Sequence, residues 1–318
     1  MENLAVTVVR KVREAEGIFS FELARADGTP LPAFSAGSHI DVHLPGGLTR
    51  QYSLCNDAAE KHCYRIAVLR ELASRGGSIA MHDAVQEGDV IHISAPKNHF
   101  PLQVAAHTLL FAGGIGVTPL LSMAQQLASI GAHFALHYCT RSAERTAFVQ
   151  EIHASSYADK VHFHVDVGPP EQKLDLAKAL ADSGSDRQLY VCGPGGFIDH
   201  VVNTAKASGW SAEQIHVEYF GAAPQDNTDD SSFEVRIAST GKTFHVGADK
   251  NIIEVLKTNG IEILTSCEQG VCGTCITRIL EGEPEHRDMY FTDEEKAAND
   301  QFTPCCSRSK SKVLVLDL

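Results

Sequence analysis

The run Ala112-Gly113-Gly114-Ile115-Gly116-Val117-Thr118-Pro119 follows one apolar stretch, 108–112, and opens into another, 119–130. A short apolar strand, a glycine turn and a long apolar segment predict a strand–turn–helix unit, with Thr118 suited to the N-cap and Pro119 to the first helical position. The glycines let backbone and ligand approach closely here. Because the spacing departs from the dinucleotide fingerprint Gly-x-Gly-x-x-Gly, it needs a second signal. Cys192-Gly193-Pro194-Gly195-Gly196 supplies one, at the end of an expected strand over 188–192. Two glycine turns at the carboxyl edge of a parallel sheet mark the crevice where ligands bind.

The same rhythm runs from about 106 to 220. Strand 134–139 leads to a helix near 148–154, and strand 188–192 to one over 197–208. Alternating strands and helices predict an α/β doubly wound parallel sheet with helices on both faces. Upstream, short alternating runs at 4–13, 18–24, 39–44, 50–55, 64–69 and 90–94 predict an antiparallel β-barrel, interrupted by one helix at 78–85. On strand 50–55, Arg50 and Tyr52 share one face while Gln51 and Ser53 lie on the other. An arginine can clamp a phosphate, a tyrosine ring can cover a planar flavin and a serine hydroxyl can bond its edge. Arg75-Gly76-Gly77-Ser78 opens the helix and offers free amides to an anion. Two anion-binding elements in one barrel suggest a phosphorylated cofactor. An ordinary amphipathic strand competes as a reading of 50–53 alone.

Downstream, 222–232 holds Pro, Gln, Asn, Ser and three aspartates without apolar periodicity, and reads as a linker. Beyond it, strands at 233–237 and 242–246 form an expected hairpin, followed by a helix at 253–258, a strand at 276–281, an acidic helix near 293–299 and a last strand at 313–318. Between helix and strand lies Cys267-Glu268-Gln269-Gly270-Val271-Cys272-Gly273-Thr274-Cys275, and Cys305 comes after a further twenty-nine residues. Cys-x4-Cys-x2-Cys with a distant fourth cysteine is the spacing that holds one 2Fe-2S cluster between four thiolates. Three thiolates converge only if the loop curls, which Gly270 and Gly273 permit. Structural zinc usually takes two short Cys-x-x-Cys hooks, and only Cys272 and Cys275 form one here. Cys305 and Cys306 compete for the fourth place.

The chain has 318 residues, 43% of them hydrophobic and 21% charged, which suits two or three globular domains. A net charge of -13 argues against a nucleic-acid partner, because phosphate backbones need a basic footprint. Segment 108–130 is broken by glycines, a proline and polar residues, so no membrane span is expected. The N-terminus lacks a signal-peptide core, which predicts a cytoplasmic protein whose nine cysteines are thiols or metal ligands. None of the sixteen histidines sits in a Cys-x-His pair of the kind that holds a Rieske cluster.

With these motifs in this order, the chain resembles the phthalate dioxygenase reductase and vanillate demethylase reductase family, within the ferredoxin-NADP reductase superfamily and carrying a C-terminal plant-type ferredoxin. The resemblance covers essentially the whole length. It implies an FMN-binding β-barrel over 1–104, an NAD-binding α/β domain over 105–222, a linker at 223–232 and an α+β ferredoxin-like domain over 233–318. It also implies FMN, NADH and a 2Fe-2S cluster as cofactors, and a Rieske oxygenase as partner. By resemblance Arg50, Gln51, Tyr52 and Ser53 bind the flavin, with Gly77 and Ser78 near its phosphate. Gly113, Gly114, Gly116, Gly193 and Pro194 line the nucleotide site, Thr118 and Cys192 border the nicotinamide, and Phe220 in Glu218-Tyr219-Phe220 shields the flavin. The same resemblance favours Cys305 over Cys306, and NADH over NADPH despite Arg141 in the turn after strand 134–139. The expected activity carries electrons from NADH through FMN and the cluster to the oxygenase. Two other readings use the same motifs: a broad NAD(P)H-dependent acceptor reductase with FAD, and a non-enzymatic iron-sulfur redox sensor.

Overall fold

The structure, a computed structural model, describes residues 3–44, 47–71, 76–181, 186–221 and 230–318. Two compact units divide the chain, Met1–Phe220 and Gly221–Leu318.

In the first unit, strands β1 (Asn3–Ala15), β2 (Ile18–Ala24), β3 (Ser38–Leu44), β4 (Leu48–Ser53), β5 (Tyr64–Leu69), β6 (Val90–Ser94) and β7 (Lys97–Asn98) build one sheet. Its order is β4-β3-β6-β1-β2-β5, with β7 alongside β3, and all its pairings are antiparallel. An antiparallel bridge between Leu54 and Ile66 joins the end of β4 to β5, so the sheet closes into a barrel. Closure removes exposed sheet edges. Alternate residues point inward, among them Val6, Val8, Phe21, Leu23, Ile40, Val42 and Ile93, which are buried together. Each such side chain stabilises the fold by about 1.5–3 kcal/mol. Helix α1 (Gly77–Asp83) adds Met81 to this core.

A parallel sheet follows, from β8 (His107–Gly113), β9 (Phe134–Thr140), β10 (Val161–Val165), β11 (Arg187–Cys192) and β12 (Ile215–Glu218), in the order β10-β9-β8-β11-β12. The order reverses between β8 and β11, which therefore flank the crevice at their carboxyl ends. Helices α2 (Val117–Ser129), α3 (Val149–Ala154), α4 (Leu176–Leu180) and α5 (Gly195–Ala207) complete this region. On β8, Leu110 and Ala112 pack into one core and Leu109 and Phe111 into another. Burial on both faces is why the strand reads as a continuous apolar run.

Helix α4 and the short strands at 97–98, 284–285, 301–302 and 308–309 go beyond the sequence expectations, and three further points differ from them. Helix α2 begins one residue before Thr118, because a 3-10 turn over Gly114–Gly116 has already started the coil. Thr118 is therefore inside the helix, where its hydroxyl donates to the Ile115 carbonyl at 3.1 Å, and Gly116 takes the cap position. Strands β10 and β12 are additional: Val-His-Phe-His-Val and Ile-His-Val-Glu hide their periodicity behind histidines, and both lie at sheet edges. Finally, residues 222–229 of the expected linker lie outside the described residues, but Asp230 is anchored. Its buried carboxylate meets Arg287 at 2.5 Å and Arg308 at 3.3 Å, and the Ser231 carbonyl accepts from Arg308.

Barrel and parallel sheet are welded inside the first unit. Arg65 of β5 grips Glu151 of α3 with two parallel bonds of 2.7 and 2.6 Å, a geometry worth more than a single surface pair. At Gly37 (φ 88°), a Cβ would fall 1.9 Å from the Phe100 carbonyl oxygen, so only glycine lets these segments meet.

In the second unit, β13 (Phe233–Ile237), β14 (Thr243–Val246), β15 (Thr277–Glu281), β17 (Gln301–Phe302) and β19 (Val313–Leu316) form a mixed sheet in the order β14-β13-β19-β15-β17. A short ladder pairs β16 (Pro284–Glu285) with β18 (Arg308–Ser309). The expected hairpin is present, with Phe233 opposite Val246. Helix α6 (Ile252–Thr258) starts with a capping box, Asn251 with Glu254, and α7 (Asp293–Ala298) with another, Thr292 with Glu295. Ile252 and Leu256 of α6 pack on Val235, Ile279, Leu314 and Leu316.

Candidate functional site

The first site grows from the carboxyl edge of the parallel sheet. Its two glycine turns touch: a Cβ on Gly116 would lie 2.3 Å from the Cys192 carbonyl oxygen, and one on Gly193 would lie 2.9 Å from the Gly113 Cα. Gly113 also sits against the Phe197 ring and Pro194, whereas Gly114 (φ 56°) has open space around it. Glycine is required at 113, 116 and 193 by close approach and at 114 by conformation. Cys192 is fully buried, and burial holds its thiol well above the ordinary range, protonated.

β12 carries this edge toward the barrel. Glu218 is paired in register with Cys192, and its carboxyl oxygen Oε2 accepts from the Ser53 hydroxyl of β4 at 3.3 Å. Burial pushes the Glu218 carboxyl up to about 8, opposed by the Ser53 hydrogen bond. Thus Ser53, Glu218, Cys192 and Gly116 form one chain of contacts, from the barrel motif to the glycine turn. Tyr219 next door packs on the sheet core, while Phe220 is 43% exposed.

The barrel's two anion elements also meet. A Cβ on Gly77 would strike the Arg50 side chain, 2.4 Å from its Cγ and 2.8 Å from its Nε. Arg50 therefore lies across the first turn of α1, with its guanidinium donating to the Thr49 carbonyl at 2.7 Å. Gly76 takes the left-handed cap conformation that this turn requires. Arg75 lies outside the described residues. The Ser78 hydroxyl is engaged with the Glu71 backbone, at 3.1 Å from its N–H. Tyr52 is half-buried on the barrel core, and Gln51 points to the other face, donating to Asp41 at 3.0 Å.

The second site is the cysteine loop of the second unit. Cys267, Cys272, Cys275 and Cys305 are all buried. Cys267 Sγ accepts from the Gln269 and Val271 amides, and Cys272 Sγ from the Thr274 amide, each at 3.4 Å. Such amides favour thiolate sulfur and a bound cluster alike. The loop curls through left-handed Glu268 (φ 54°), Gly270 (φ 71°) and Gly273 (φ 68°). Added Cβ atoms would strike Cys306 Sγ at Gly270 and the Tyr290 ring at Gly273. Cys305 shares thiol hydrogen bonds with Cys267, Cys275 and Cys306, and Cys306 also stands 3.3 Å from the Thr303 hydroxyl. Four buried sulfurs, linked through Cys267–Cys272, Cys267–Cys305 and Cys275–Cys305 and supplied with amide donors, are a donor set that fits a 2Fe-2S cluster.

One polar residue escaped the sequence reading. Glu218 carries no motif of its own, and its place beside Ser53 depends on a pairing 165 residues apart in sequence. Its neighbourhood in Glu218-Tyr219-Phe220 was the only local signal.

Known proteins resemble the chain over its whole length. The family described as 2Fe-2S iron-sulfur cluster binding domain matches residues 235–310, and dimethylamine monooxygenase subunit DmmA-like, N-terminal domain, matches 98–215. Vanillate O-demethylase oxidoreductase of Pseudomonas sp. (strain HR199 / DSM 7063) is 54% identical, covering 100% of both chains. Phthalate dioxygenase reductase of Burkholderia cepacia is 41% identical over 99% of this chain and 97% of its own. A solved structure of phthalate dioxygenase reductase, described as modular for electron transfer from pyridine nucleotides to 2Fe-2S, superimposes with a TM-score of 0.79 at 40% identity, covering 99% of this chain and 98% of its own. No helix among the described residues is long and apolar enough to cross a membrane.

Proposed function

The chain belongs to the reductase family that includes vanillate O-demethylase oxidoreductases and phthalate dioxygenase reductases, and on that premise we propose that it is the NADH-dependent reductase of a Rieske-type oxygenase or demethylase. The observation that carries this reading is end-to-end similarity: relatives with those names match the barrel, the parallel sheet and the cysteine loop together, not one module alone.

In this reading Arg50 and the start of α1, at Gly77 and Ser78, hold the phosphate of FMN, while Tyr52 and Ser53 meet its ring and Gln51 braces the strand through Asp41. Phe220 would shield the ring. Gly113, Gly114, Gly116, Gly193 and Pro194 admit the nucleotide, and Thr118 and Cys192 border its nicotinamide. Cys267, Cys272, Cys275 and Cys305 hold the cluster. A bound flavin supplies the step the protein lacks: it takes two electrons together from a reduced nicotinamide and releases them singly to a 2Fe-2S cluster. The side chains place and shield, and proximity makes the transfers fast. Glu218, pushed up to about 8 by burial and bonded to Ser53, is the one carboxyl in that chain of contacts.

Flavin released by acid, and turnover with each nucleotide, test the assignment. FMN and a preference for NADH, with NADH-dependent turnover of a Rieske oxygenase on its aromatic substrate, are expected. FAD, or a clear preference for NADPH, would point to the broader acceptor reductase.

A further inference from the structure

Behind the cysteine loop lies a carboxylate that the electron path as described does not use. Asp288 has a fully buried side chain. Its Cα and Cβ pack on Gly270, each 2.9 Å from where a Cβ on that glycine would be, and the neighbouring Met289 amide donates to the Gly270 carbonyl at 3.0 Å. Asp288 is therefore fixed against the segment between Cys267 and Cys272.

The surroundings of Asp288 only partly compensate its charge. Oδ2 accepts from the amides of Tyr290 and Phe291, at 3.2 and 2.9 Å. Oδ1 faces His286 Nδ1 at 3.4 Å, but neither that oxygen nor either ring nitrogen of His286 has a hydrogen-bond partner among the described residues. Lys296 of α7 donates to the Asp288 backbone carbonyl at 2.8 Å and stands 4.0 Å from Oδ2. A buried acceptor without a partner is costly, so its retention calls for a reason. A buried charge also acts at longer range than an exposed one, because solvent and salt screen it less.

We propose that Asp288 is a positioning residue that sets the reduction potential of the cluster held by the loop, lowering it through the field of a buried carboxylate. Reduction adds one electron, and no proton, to a group that already carries thiolate charge; the buried anion opposes that addition. Lys296 works in the opposite sense. The inference rests on the reading that the loop holds a 2Fe-2S cluster, and the two can fail separately.

The test is a mediator-assisted redox titration of the full-length protein, following the cluster by visible absorbance and electron paramagnetic resonance. Asp288→Asn keeps an acceptor for the Tyr290 and Phe291 amides while removing the charge. It should increase the ratio of reduced to oxidised cluster at fixed ambient potential by about tenfold, an upward shift of 59 mV for a one-electron couple. Glu268→Gln, on an exposed residue beside Cys267, should shift the ratio less than about threefold, because water screens that charge. Lys296→Met, on the surface of α7, should move the potential down, and it provides the readout if Asp288→Asn does not retain a cluster. An unchanged potential in Asp288→Asn, a shift no larger than that of Glu268→Gln, or an unchanged or raised potential in Lys296→Met would overturn the proposal. Wild-type protein without a cluster would instead refute the underlying reading.

Discussion

Gly116 and Gly195 are both glycines in the nucleotide-side turns, yet they differ in what a methyl group would meet. At Gly116 a Cβ overlaps the Cys192 backbone, and at Gly195, which opens α5, nothing lies within 4 Å. Gly116→Ala should destabilise the fold by about 1–3 kcal/mol through forced overpacking. Gly195→Ala should be neutral or stabilise it by about 0.4–1 kcal/mol, by restricting the unfolded chain. Denaturant midpoints of the two variants check the contrast, and equal midpoints would show that the turns tolerate separation. Glu218 makes a prediction in pH. Its carboxyl is raised from 4.5 to about 8, so between those values the folded chain holds a proton that the unfolded chain has lost. Stability from this group is thus largest at low pH and declines as pH rises through that window. Glu218→Gln should remove that decline, so the variant gains on the wild type as pH increases. Parallel stability–pH curves would contradict the assignment. Residues of this kind mark the limit of reading from sequence: Cys267, Cys272 and Cys275 announce themselves by spacing, while Glu218 and Asp288 acquire meaning only from neighbours far along the chain.

At the scale of elements, the curled cysteine loop shows how local chemistry and tertiary packing constrain the same positions. Gly270 was legible as a residue permitting unusual dihedrals, but its second constraint, contact with Cys306 and Asp288, belongs to the folded unit. Gly260 (φ 78°) separates the two effects, because a Cβ there meets nothing. Gly260→Ala should cost about 1–2 kcal/mol of left-handed strain and leave cluster content intact. Gly270→Ala should lose most of the cluster absorbance per chain, and full cluster content in that variant would contradict the packing account. Replacing the cysteines individually assigns the fourth ligand: Cys305→Ala should abolish the cluster and Cys306→Ala should retain it, and the reverse would reassign it. Element boundaries were less legible. The 3-10 turn before α2 displaced Thr118 from the cap because Gly114–Gly116 can coil before the helix proper, which residue preference alone does not reveal. Strands β10 and β12 were hidden because half-buried edge strands tolerate histidine and glutamate at positions that would otherwise carry the apolar run.

For the whole molecule, order was the strongest signal. Barrel, parallel sheet and cysteine loop each admit a bland reading separately, yet their succession in one chain couples two-electron to one-electron chemistry. The sequence made the three sheets legible through their changes of periodicity, from alternation to strand–helix rhythm and back. It could not show that the barrel closes through Leu54 and Ile66, or that Ser53 reaches Glu218, because both depend on long-range pairing. The measurement that tests the central claim most directly is an anaerobic titration of the full-length protein with NADH, followed by visible spectroscopy. The account predicts that NADH alone bleaches both flavin and cluster, and that in Cys305→Ala the flavin still bleaches while the cluster signal is missing. A flavin that NADH leaves oxidised, or a cluster that stays oxidised when the flavin is reduced, would contradict it.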